Sequence, residues 1–239
     1  MPGSGGYAPF VERSTPPSGP LDAFDDEAER LAGVLHTLAD ADLDRATPCP
    51  PWTVRELVVH VRNGAARPVS GLAVPPPPAP ALDATGYFNP GIFDAASNAE
   101  RVEATRRDAA AYRTAAELAA AFDDCRRRTR EAVRAQPPDR IVVTRHGDGM
   151  LLTEFMATRV VELALHGLDL AIALDRAPWT APSAAGVVAD LLVASGADRV
   201  AELGWDQAEL IAKASGRTPP TPAESAAAAR LGITWLPLG

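Results

Sequence analysis

The sequence predicts a mainly α-helical fold, and three observations carry that reading. Apolar residues recur at spacings of three and four from Leu21 onward. Two T-x-x-E helix-start signals stand at Thr53–Glu56 and Thr114–Glu117. A run from Thr153 to Leu174 is apolar on nearly every face, the mark of a helix that belongs inside a core. Strand-like patterning is confined to short stretches near Ile141 and at the C-terminal end.

The totals bound what such a fold can do. The 239 residues, 46% of them hydrophobic, are enough for one large domain or one and a half small ones with a real core. A formal net charge of -8 argues against nucleic acid or an anionic membrane as a partner. The two cysteines, Cys49 and Cys125, are far apart and suggest neither a disulfide framework nor a cysteine-based zinc site. With no stretch approaching 18 apolar residues and no signal-like N-terminus, the expected location is the cytoplasm.

Met1 to Pro20 is rich in Gly, Ser and Pro and is expected to be a mobile tail. The first helix follows, with Phe24, Ala28, Leu31, Val34, Leu35 and Leu38 on one face, and it ends in the Asp-rich turn at 40–44. His36 lies beside that stripe and reads as a boundary histidine. Prolines 48, 50 and 51 block helix before Thr53, whose capping box with Glu56 starts the next one. Trp52 and Leu57 form a hydrophobic staple, Val54, Leu57, Val58 and Val61 give the core face, and His60 flanks it. Residues 71–98 form a long Pro-rich connection that Tyr87, Phe88 and Phe93 would anchor, either as a packed loop or as a pocket wall.

Residues 99–135 read as helix, broken near Tyr112 to Thr114. Its Arg126–Arg130 run pairs with Asp123 and Asp124 at i,i+4, to Arg127 and Arg128, and is a solvated face, not an anion site. Ile141 to Thr144 is β-like, His146 to Gly149 is a turn, and the buried helix starts near Thr153. His146, flanked by the turn, is not counted among candidate ligands. Beyond Pro178, helices are expected at Ala184–Leu203, Asp206–Ala214 and Glu224–Leu231, with a closing strand in GITWLPL. The chain thus divides into a tail (1–20), a helical bundle (21–177) and a short extension packed on it (178–239).

Chemistry concentrates on the buried helix. Glu162 and His166 stack one turn apart, Asp169 follows, and Arg159 and Phe155 fall near the same stripe, while Val160, Leu163, Leu170 and Ile172 face elsewhere. Carboxylate and imidazole in a core need compensation. A divalent metal held by His60, Glu162 and His166 supplies it, with Asp169 fixing a ligand histidine's tautomer and Arg159 offsetting charge or clamping a carboxylate. A buried Glu–His pair satisfied by hydrogen bonds alone is the competing reading.

The segments PCPPWTVRELVVHV and ATRVVELALHGLDLAIAL resemble the two signature stretches of the DinB-like superfamily, and within it the mycothiol-dependent maleylpyruvate isomerase group. The matching positions are Trp52, Thr53, Val54, Glu56, Leu57 and His60, then Arg159, Glu162, His166 and Asp169. The resemblance covers about residues 24 to 175. It implies a DinB-like four-helix bundle with a metal, most simply zinc, held by His60, Glu162 and His166, and a thiol cosubstrate, mycothiol. The family's isomerases carry a larger C-terminal α/β domain that gives the site an arginine; here the region after 180 is short, and Arg217 is the nearest counterpart, with Tyr87 and Phe88 as further candidates for binding substrate or thiol. The implied activity is metal-dependent addition of the thiol to an electrophilic small molecule, giving isomerisation or S-transfer, in a monomer or homodimer. Two other classes stay open: a thiol-independent Lewis-acid lyase, hydratase or cyclase of secondary metabolism, and a non-catalytic metal-binding protein.

Overall fold

The computed structural model describes residues 19–88, 95–137 and 139–236, with side chains at 95–97 left aside; the tail up to residue 18 and Phe93 lie outside these. The helix expected from Leu21 is α1, Pro20–Leu35, and it starts one residue inside the expected tail because a proline is well placed in a first helical turn. The Asp-rich segment is a 3-10 turn, Asp40–Asp44. Helix α2, Val54–Leu72, opens on the expected box: the Thr53 hydroxyl accepts from the Glu56 amide and the Glu56 carboxylate accepts from the Thr53 amide at 2.8 Å. It runs through Pro68 and ends beside Gly71, where an added Cβ would lie 2.6 Å from the Val143 carbonyl oxygen. Only glycine lets that strand approach so closely.

The long connection is shorter than expected. It contains a one-turn helix α3, Ala84–Tyr87, capped by Asp83, and the following helix α4, Ala95–Ala109, begins four residues early. Helix α5, Ala115–Arg134, starts on the Thr114–Glu117 box. Of the two expected i,i+4 pairs, Asp124 with Arg128 forms and Asp123 with Arg127 does not: Asp124 also takes Arg127, while Asp123 takes Arg126 and His36. Spacings of three and four are both within reach on a helix, and the cross-helix His36 decides between them. Strands β1, Ile141–Val143, and β2, Gly149–Leu151, form an antiparallel hairpin that leads into α6, Leu152–Ala173.

Helices α1, α2, α5 and α6 make a closed ring of contacts, α1 against α5 and α6, and α2 against the same two. This is a mainly α four-helix bundle. Phe24, Leu31, Leu57, Leu118, Phe122, Phe155, Leu163 and Leu170 are all at most 1% or 2% exposed at its centre. Helix α6 is buried nearly all round, with one correction: Ile172, grouped with the core faces, is 58% exposed in the last turn. A single exposed apolar side chain is ordinary for a protein surface.

Past the bundle, α7, Pro182–Leu192, packs on α1 and α6. The helix expected over Ala184–Leu203 stops there. Val193–Ser195 is strand β3, Gly196 takes a left-handed φ of 78°, and Ala197–Leu203 is a 3-10 turn. β3 pairs with β4, Thr234–Trp235, so the closing strand draws its partner out of a helix-prone run. Helices α8, Gln207–Ala214, and α9, Pro222–Arg230, complete the extension. No described helix is long and apolar enough to cross a membrane.

Glu27 on α1 ties the bundle to α7. It is fully buried, and its carboxylate accepts from the Ala181 amide at 2.7 Å. Burial pushes its carboxyl up to about 7, against the ordinary 4.5. The folded chain therefore holds this proton over a pH range in which the unfolded chain has lost it, and stability falls as pH rises from 4.5 to about 7, by about 3 kcal/mol in total. Glu27→Gln keeps an acceptor for Ala181 and removes the charge, so urea midpoints at about pH 5 and about pH 8 should converge. An unchanged drop in the variant would assign the pH dependence to other groups.

Candidate metal centre

Two helices bring the three expected ligands together. His60 comes from the middle of α2, and Glu162 and His166 from successive turns of α6. The His60 Nε2 and His166 Nε2 atoms lie 3.6 and 3.5 Å from the same oxygen, Glu162 Oε2, and all three donor atoms fall within 4.8 Å of one another. These separations are long for hydrogen bonds. They are close to the spacing of about 3.3 Å between neighbouring ligand atoms around a tetrahedral zinc with bonds of about 2.0–2.1 Å. The residues therefore fit a divalent metal, and a two-histidine, one-carboxylate set leaves a position for a guest.

Each candidate ligand is held by its own neighbours. Trp52, the staple residue before α2, stacks on the His60 ring at 4.5 Å. Asp169, one turn past His166, is 3.0 Å from its Nδ1 through Oδ2. That contact keeps the proton on Nδ1 and leaves Nε2 toward Glu162. Asp169 is itself 2% exposed and is gripped from the extension: Arg217 donates Nε to Oδ1 at 2.9 Å and Nη2 to Oδ2 at 2.7 Å. Arg217, expected as a binder of substrate or thiol, thus lies in the site with its guanidinium already engaged.

Cys49 is a site residue that sequence reasoning missed. Its Sγ donates to Asp169 Oδ2 at 3.1 Å and lies 4.0 Å from His166 Nδ1. The Pro-rich turn before Trp52 delivers it there, and its position in PCPPW, just ahead of the His60 helix, was the one available signal.

The electrostatics follow from burial and contact. Burial drives the His60 imidazole down to about 4, so it stands neutral. Burial works to raise Glu162, but His166, His60 and the Arg159 charge outweigh it and hold the carboxyl well below the usual range. Burial likewise works to lower His166, and Asp169, Cys49 and Glu162 overcome it, so the imidazole is held well above its ordinary value. Asp169 is kept low against the effect of burial by His166 and Arg217.

Arg159 is 4% exposed, with its Nε donating to the Thr158 hydroxyl and its guanidinium over the Phe155 and Tyr87 rings at 4.9 and 5.2 Å. Two cavities meet at the triad. The first, about 390 Å³, is lined by His60, Glu162, Arg159, Tyr87 and Phe88; the second, about 680 Å³, by His60, Glu162, His166, Trp52, Cys49 and Arg217. Arg101 and Phe88 line both. His146, set aside as a ligand, stands on the rim of the first cavity.

A family model described as the mycothiol maleylpyruvate isomerase N-terminal domain matches residues 24–171. The chain belongs to this family. Both resembling segments, Trp52 to His60 and Arg159 to Asp169, lie inside the matched range. Among solved structures, a crystal structure of the mycothiol-dependent maleylpyruvate isomerase is similar at 15% identity, covering 71% of this chain and 66% of that one, with a TM-score of 0.48. A histidine-to-alanine mutant of that enzyme is similar at 14% identity, with the same coverage and TM-score. The alignment therefore spans just under two thirds of the length of those enzymes. No curated protein matches. Arg217 and Ser215, in the wall of the second cavity, come from outside the matched range.

Proposed function

We propose that the chain is a metal-dependent enzyme in which a low-molecular-weight thiol, mycothiol by family, adds to an electrophilic small molecule. His60, Glu162 and His166 hold the metal, and zinc suits this donor set. When bound, such an ion favours thiolate over thiol at neutral pH. The observation that supports the reading most directly is the pair of cavities sharing His60 and Glu162, which lets two reactants reach one centre from different sides. The larger, beside His166 and Trp52, suits the thiol, and the smaller suits the electrophile.

The chain's own residues set the rest. Asp169 holds a proton on His166 Nδ1, so that Nε2 is the donor facing the centre. Arg217 keeps Asp169 anionic for that task. The buried bundle wall of Val161 and Leu165 borders the larger cavity and limits water beside the sulfur. Addition forms a carbon–sulfur bond; rotation followed by its cleavage gives cis–trans isomerisation with the thiol returned, and retention of the bond gives an S-transfer product. An enzyme of this type works in the cytoplasm, where such thiols are kept reduced.

The test is elemental analysis of the purified chain, followed by mass spectrometry after incubation with candidate electrophiles with and without thiol. The expected result is about one metal ion per chain, as for a single three-ligand catalytic site, and turnover only when thiol is present. Turnover with metal but no thiol would replace this reading with Lewis-acid catalysis. A chain purified without metal that takes up none when offered would end both.

A further inference from the structure

The smaller cavity has an electrostatic character that the metal centre does not explain. Four elements each send one arginine to it: Arg67 from α2, Arg101 from α4, Arg145 from the β1–β2 turn and Arg159 from α6. They are graded by depth, with Arg67 and Arg145 exposed at the mouth, Arg101 half-buried, and Arg159 buried. None of the four has a carboxylate within ion-pair distance among the described residues. The arginines of α5 differ, since Arg126, Arg127, Arg128, Arg130 and Arg134 are all paired with aspartates. Three acidic residues do stand on the cavity wall. Glu162 belongs to the triad, Asp108 accepts from the Asn63 amide at 2.7 Å, and Glu100 is exposed.

Arg159 supplies the second observation. With Nε on Thr158 and both rings against its guanidinium, its Nη2 is buried and has no hydrogen-bond partner among the described residues. A buried guanidinium donor left empty is costly, and an oxyanion is the partner such a fork fits best. At the mouth, Arg145 is braced by donating Nε to His146 Nε2 at 2.9 Å.

We propose that this cavity is an oxyanion subsite, in which Arg159 at the floor, Arg101 at the partition, and Arg67 and Arg145 at the mouth hold the acid group of a small organic ligand. A chain of net charge -8 repels anions over most of its surface, and a cluster of arginines in a concave site reverses that locally. The volume of about 390 Å³ suits a small acid rather than a nucleotide. The ligand chemistry is a carboxylate or a phosphoryl oxyanion on a compact carbon skeleton. That this ligand is the electrophile rests on the thiol-addition reading above, whereas the arginine cradle itself does not.

The test uses the full-length chain, metal-loaded and chelator-stripped, with heat denaturation followed against malonate, inorganic phosphate and the neutral isostere malonamide at constant ionic strength. Saturable stabilisation by malonate or phosphate is expected in both forms of the chain, and whichever ion binds more tightly identifies the acid group. Malonamide should have no effect. Arg67→Gln/Arg145→Gln, at exposed positions, should weaken anion binding by about tenfold or more. Arg159→Met should abolish it, and if that chain fails to fold the double variant decides. Equal stabilisation by malonamide, no stabilisation by either anion, or unchanged affinity in the double variant would overturn the proposal. Anion binding that vanishes when the metal is stripped would also overturn it while leaving the metal centre standing. Arginine-dependent binding in a chain that takes up no metal would uphold the cradle and remove the thiol-addition reading.

Discussion

His166→Ala should give a folded chain that retains no metal. The imidazole borders an existing cavity and is only partly buried, so its loss extends open space and should cost the fold about 1–2 kcal/mol. For metal the effect is far larger, because one of three ligands is gone; removing a mere supporting partner already costs about 10–100-fold. Proton accounting gives an independent reading of the same site. In the metal-free chain His60 is neutral, Glu162 is ionised and His166 is held protonated, so a metal ion has one proton to displace, that on His166 Nε2. Binding at neutral pH should release about one proton per ion, and affinity should fall as pH falls, by about tenfold per unit below the raised His166 value. Calorimetry in two buffers of different ionisation enthalpy measures this directly. Full metal occupancy in His166→Ala would remove His166 from the ligand set, and binding with no proton released would show that its imidazole is already neutral in the metal-free chain.

The site residues legible in the sequence are those whose geometry is local. Glu162, His166 and Asp169 share a stripe because a helix repeats every 3.6 residues, and the Thr53 box fixes where the His60 helix begins. The parts that escaped depend on contacts made across the fold. Cys49 reaches Asp169 from 120 positions away and no spacing rule reports it; Arg217, 48 positions away, is named beforehand only by the family resemblance, without its grip on Asp169. Val193–Ser195 follows the Ala- and Leu-rich helix α7 and reads as its continuation, yet it becomes strand because Thr234–Trp235 offers it a partner and Val193 suits a strand. Of the arginine cavity the sequence marks only Arg159, as a carboxylate clamp; Arg67, Arg101 and Arg145 carry no such signal. The conspicuous Arg126–Arg130 run is a paired outer face, and the functional candidates are four scattered single arginines that only folding gathers.

Asp169→Asn should be the most damaging change outside the three proposed ligands. The carboxylate joins the bundle to the extension and receives His166, Cys49 and both donor arms of Arg217. Asparagine has nearly the same shape, but it replaces one acceptor oxygen with a donor and leaves the Arg217 charge without its counterion. Breaking a buried pair from one side costs about 3–5 kcal/mol, and the partial exposure of Arg217 puts this case toward the lower end. The His166 tautomer loses its support at the same time, so metal affinity should fall about 10–100-fold. Arg217→Met separates the two effects. It leaves Asp169 beside His166, so it should destabilise the chain while metal affinity falls much less. A smaller stability loss in the double variant than the sum of the singles would measure the pair itself. NMR titration of metal-free Asp169→Asn should also show the His166 value dropping toward the ordinary range, since burial would then act with less opposition. If Asp169→Asn lowered stability but left both metal affinity and the His166 titration unchanged, Asp169 would be a structural brace and the metal site would owe its orientation to α6 alone.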